Sequence, residues 1–272
     1  MAIVFKSPWL QGLLTYVIAI ISGYAASYLN FPLPWMLGPL LVVALLCVLG
    51  FNLKVPVAGR YTGQWLIGIA IGLTFSPLVV KEIVRDFPFI ILVCLGSLLL
   101  LSFGTWLLWR IFKIPMRTAF FCAALGGASE MTNLADRHHQ RADLVAAAHS
   151  LRLLIVLCIV PLLFQIWGTP GDFELNALNR NFSIEGCGLL LLGSFCGVLL
   201  FRFLNLPNAF LLGPLLVVAL MATFAIELTS WPKVLSNLAQ LLLGTALGVR
   251  FTKEFIAHAK NLAIGISVYT VI

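Results

Sequence analysis

Apolar runs of about 20 residues recur along this 272-residue chain, and the short loops between them carry most of its lysines and arginines. A helix rising 1.5 Å per residue needs about 20 apolar residues to cross ~30 Å of hydrocarbon. No stretch keeps the strict apolar–polar alternation of a barrel strand. The chain therefore reads as an all-α, multi-pass membrane protein, a polytopic helical bundle of the inner (plasma) membrane. Its composition, 61% hydrophobic and 10% charged with a mean hydropathy of +1.05, excludes a soluble domain, where apolar residues make up about half. The net charge of +7 is spread one to three cations at a time over short loops. That pattern orients helices in a bilayer and implies no nucleic-acid partner.

The first spans are expected at about 10–29 and 35–50, with Pro32 and Pro34 forcing a tight turn between them. A third follows at about 61–80, where Gly68 and Gly72 form a G-x-x-x-G packing face, and a fourth at about 88–109. Segment 118–135 is apolar only in its first half, and Gly126-Gly127 should break it into a discontinuous or re-entrant helix. A long helix at about 142–168 comes next, then a polar linker, then spans at about 186–203, 209–226 and 237–250. The last apolar run reaches only Ile272, so the chain is expected to stop inside a helix.

Two words occur twice in the same order. GPLLVVAL stands at 38–45 and 213–220, and QWLIGIAIGL at 64–73 matches QLLLGTALGV at 240–249. Offsets of 175 and 176 residues describe an ordered duplication. It divides the chain into a first repeat (1–170), a linker (171–185) and a second, incomplete repeat (186–272). With segment 118–135 re-entrant, loop cations fall twelve on the N-terminal side and four on the other. The positive-inside rule then places the N-terminus in the cytoplasm and makes the repeats inverted.

Chemistry is concentrated in 125–152, LGGASEMTNLADRHHQRADLVAAAHSLR, which holds six charges and three histidines in an otherwise apolar chain. Arg152 lies about ten residues into its helix, roughly 15 Å along the axis. A cation at that depth must face the bundle interior, as counter-ion to an anionic solute or as ion partner of Glu130. His149 is its i−3 neighbour. A short helix after Gly126-Gly127 would turn its free N–H groups toward mid-membrane, with Ser129 as a further donor. The candidate binding residues are thus Gly126, Gly127, Ser129, Glu130, His149 and Arg152. Neither the histidines nor the six cysteines have metal-ligand spacing, and no nucleophile–base pair, P-loop or dinucleotide fingerprint occurs, so no metal, cofactor or catalytic residue is expected.

LPWMLGPLL near the start, the doubled GPLL, and GGASEM, RADLV and HSLRLLIV further on resemble the bacterial membrane proteins of the AbrB duplication family. Members carry a proline–glycine–glycine motif followed by a methionine, an aspartate and an arginine. Gly126, Gly127, Met131, Asp143 and Arg152 match it, whereas Leu125 replaces the proline and His149 a common glutamine. The resemblance implies a bacterial inner-membrane protein, in a family linked to regulation of gene expression and labelled ammonia monooxygenase. The residues themselves favour a transporter-like protein binding or moving a small, anionic solute. A membrane-embedded regulator is the alternative, and a monooxygenase ranks below both. The lipid bilayer and an unnamed solute are the implied partners, and a homo-oligomer is compatible with the sequence.

Reporter fusions near Lys54 and near Lys233 are expected to report opposite faces of the membrane; the same face for both would contradict the inverted arrangement.

Overall fold

A computed structural model of the chain describes residues 8–167, 183–224, 229–252 and 264–270. The described residues are helical without strands: α1 Pro8–Tyr28, α2 Pro34–Leu49, α3 Val57–Gly72, α4 Pro77–Arg85, α5 Phe87–Arg110, α6 Met116–Ala123, α7 Ala128–Arg137, α8 Ala142–Trp167, α9 Ile184–Phe203, α10 Ala209–Thr223 and α11 Lys233–Gly248. Residues 264–270 are helical as well. By length and apolarity α5, α8, α9 and Trp9–Tyr28 of α1 can each cross a membrane. The linker expected at 171–185 lies outside the described residues except for 183–185.

The span expected at 61–80 is not one straight helix. It is α3 and α4, bent by 83° across four residues. The reason is local: Ser76 turns extended and its Oγ accepts from Val79 N at 3.2 Å, while Pro77 supplies a first-turn residue that needs no donor. At 118–135 the break appears as expected, α6 and α7 being separate helices, but α6 ends at Ala123, three residues before the Gly pair.

Two compact units divide the described helices, and they do not coincide with the two sequence halves. The first holds α1, most of α2, α3, α4 and α9–α11. Its core contains Ile69 of α3 and Leu73 just after it, Leu190 of α9, and Val218 and Ala222 of α10, with Trp65 Nε1 donating to Ser194 Oγ at 3.0 Å. Apolar burial adds little between helices in lipid, so close backbone approach and such polar bonds hold this unit together.

Positions related by the offset of the duplicated words also match in conformation and packing. The α1–α2 turn has left-handed residues at Asn30 and Leu33, and the α9–α10 turn has them at Asn205 and Asn208, each 175 residues on. A Cβ on Gly38 would lie 2.5 Å from Ser22 O, and one on Gly213 would lie 2.5 Å from Gly197 O. Gly68 and Gly72 of α3 face Leu211, Leu215 and Val218 of α10. Their counterparts Gly244 and Gly248 of α11 face Met36, Leu40 and Val43 of α2. Each glycine-bearing helix therefore packs on the proline-bearing helix of the other half.

The second unit comprises α5–α8, residues 264–270 and Cys47–Gly50. Its core gathers Leu107 and Leu108 of α5, Phe121 and Cys122 of α6, Val145 and Ala148 of α8, and Ile266 and Tyr269. The Tyr269 ring lies against Gly104, which has no side chain to obstruct it.

Gly68→Val should cost about 1–3 kcal/mol, because its Cβ would sit 2.6 Å from Leu211 O, whereas Gly96→Ala, with nothing within 4 Å, should leave stability unchanged or slightly raised. Unfolding midpoints in detergent measure both.

Candidate functional site

The helix break in the second unit is built from α6, α7 and α8. Ala124 is extended, with φ −53° and ψ 138°, so α6 stops and its terminal carbonyls lose their helical donors. Inside a membrane no water replaces those donors, and an unpaired carbonyl costs several kcal/mol. Donors from α8 and from 264–270 take their place. Arg152 Nη1 donates to Ala123 O at 3.3 Å and Nη2 to Ala124 O at 3.0 Å. Tyr269 Oη donates to Ala123 O at 3.3 Å.

His149 extends the same network. Arg152 Nη2 lies 2.9 Å from His149 Nδ1, and a guanidinium can only donate, so Nδ1 accepts. The ring proton is then on Nε2, which donates to Phe121 O at 3.0 Å. His149 is 1% exposed and Arg152 half-buried. Both lie on one face of α8 because they are three residues apart, and Val145 and Ala148 on the same face allow α8 close to α6. The cation also sits at the negative end of the α6 dipole.

The opposite end of the break is handled differently. Gly127 is the N-cap of α7 and offers no side chain to the first N–H groups. Gly126, Gly127 and Glu130 are exposed. Neither glycine needs a positive φ; a Cβ on Gly126 would instead meet Met131 Cε at 2.9 Å. Thr132 Oγ1 is occupied by Ala128 O at 2.6 Å. The side chain of Ser129 lies outside the described residues.

The structure thus joins His149 and Arg152 to α6, while Gly126, Gly127 and Glu130 line the other side of the break. Among the described residues no carboxylate lies within 4 Å of Arg152, and Glu130 forms no ion pair. Asp143 pairs with Arg141 through two bonds of 3.0 and 2.6 Å at the exposed start of α8. His138 stacks on the Phe121 ring with centroids 6.0 Å apart. Sequence reasoning missed Tyr269 as a donor and the Phe121, Ala123 and Ala124 carbonyls as acceptors, since none belongs to a spaced motif. Among the described residues no three of His, Cys, Asp and Glu gather as a metal site.

The family described as "Transition state regulatory protein AbrB" matches residues 35–272. Over 280 residues the chain is 26% identical to "Uncharacterized protein YhjN" of Bacillus subtilis (strain 168), covering 94% of this chain and 73% of that protein. Over 261 residues it is 24% identical to "Putative regulator AbrB" of Escherichia coli (strain K12), covering 93% and 73%. No solved structure matches.

Arg152→Ala strips buried carbonyls of their donor and should lower stability by about 1–3 kcal/mol. Arg152→Lys should recover only part of it, since an ammonium lacks the guanidinium fork. Arg141→Ala breaks an exposed pair and should change stability by less than about 1 kcal/mol. Unfolding midpoints of the three variants check this ordering.

Proposed function

The chain belongs to the AbrB family, and we propose that it is a transporter-like inner-membrane protein that binds a small anionic solute at the helix break. One observation carries the reading. The α6 end of the break is closed by Arg152 and Tyr269 on its carbonyls, whereas the first N–H groups of α7 have no side-chain cap from Gly127. Discontinuous helices that leave such N-termini inside a bilayer favour anionic groups there. Arg152 adds positive charge on the same break, with no carboxylate among the described residues near enough to cancel it. Glu130, in the first turn of α7, competes with a bound anion for the same dipole end.

Two inverted halves and a cytoplasmic N-terminus belong to the same reading. Supporting them are the distribution of loop cations and the reciprocal packing of α3 on α10 and α11 on α2. A membrane-embedded regulator is the second reading, favoured by the word "regulator" in the name of the Escherichia coli relative. It predicts solute binding without flux, and liposome uptake distinguishes the two.

Inorganic phosphate, sulfate, acetate and succinate, each tested as a thermal-shift ligand, should include at least one that raises the midpoint with concentration. Glu130→Gln should tighten that anion about two- to fivefold, the effect of one like charge removed from a helix N-terminus. Stabilisation by cations or amines alone would overturn the reading.

A further inference from the structure

A groove of about 480 Å³ lies in the first unit. Trp9, Gly12, Leu13 and Tyr16 of α1 form one wall, and Lys54 and Pro56 of the α2–α3 loop form the other. Gly12 sets its floor: a Cβ there would lie 3.6 Å from Pro56 Cδ and 3.9 Å from Lys54 O, so a small side chain fits and a large one would fill the space. Tyr16 closes the inner end with its hydroxyl against Gly59 of α3.

The residues lining it are apolar apart from Tyr16 and Lys54, and Lys54 is exposed. Lys54 forms no ion pair among the described residues. Trp9 at the mouth is 85% exposed and Leu13 beside it 63%, as expected of side chains that meet lipid. Tryptophan and lysine together mark the level where a membrane-spanning helix passes from hydrocarbon to headgroups. An apolar slot that begins at that level under such a cation matches a molecule with a negative headgroup and a hydrocarbon tail. A soluble anion would leave the apolar walls without a partner, and a zwitterionic lipid would bring its own cation beside the phosphate, cancelling much of the attraction to Lys54.

We propose that this groove is a binding site for an anionic phospholipid, with one acyl chain lying along the crevice formed by α1 and the 54–56 loop and the headgroup phosphate on Lys54. The site draws on residues of the first unit alone and does not rest on the solute reading.

Native mass spectrometry of the full chain, offered phosphatidylglycerol and phosphatidylcholine in equal amounts, tests it. Wild type should retain phosphatidylglycerol over phosphatidylcholine by roughly fivefold, the effect of one lysine at an anionic headgroup. Lys54→Gln should abolish the preference while still retaining lipid. Gly12→Leu should lose both lipids; if that variant unfolds, Lys54→Gln alone decides. Equal retention of the two lipids by wild type, or an unchanged preference in Lys54→Gln, would overturn the proposal, as would unchanged phosphatidylglycerol retention in a folded Gly12→Leu.

Discussion

A helix interrupted in a low-dielectric layer exposes carbonyls that nothing but protein can satisfy, and in this chain the Arg152 guanidinium does so for Ala123 and Ala124. The placing of α6, α7 and α8 follows from that bond. Without it the Ala124 carbonyl would have no donor and the Ala123 carbonyl would keep Tyr269 alone. The arginine is tolerated in its membrane-spanning helix for the same reason, since the carbonyls and the α6 dipole replace its hydration. His149 completes the arrangement as a neutral imidazole bridging Arg152 to Phe121 O.

Structural closure at one end of the break leaves the other end available. Arginine and tyrosine donors are committed to α6, and Gly127 supplies no side-chain cap to the first turn of α7, which among the described side chains holds Glu130. The proposed anion site would need few polar side chains, because backbone N–H groups and the helix dipole would provide most of its field. The α3–α4 bend of the first unit differs in this respect, because Ser76 caps the start of α4 from within the chain.

Much of this is legible in the sequence because the signals are strong ones in a membrane. Long apolar runs locate α1, α5, α8 and α9, and Pro32 and Pro34 locate the first turn. The duplicated words point to helices that pack alike, since Gly68 and Gly244 meet corresponding residues. Arg152 and His149 stand out as neighbours on one helix face. Their acceptors do not, because backbone carbonyls carry no sequence identity, and the role of Arg152 depends on them. The α3–α4 bend is hidden for a related reason: 61–80 is continuously apolar enough to span, and the Ser76-Pro77 cap that splits it is a two-residue signal. Tyr269 acts from a segment 146 residues from its acceptor, beyond the reach of any spacing rule.

Hydrogen–deuterium exchange of the amides of Ala128, Ser129 and Glu130 tests the central claim most directly, with and without the anion that stabilises the protein most. Protection confined to these three amides and to the neighbourhood of Arg152 is the predicted result. Protection elsewhere, with these amides exchanging at an unchanged rate, would contradict an anion site at the start of α7.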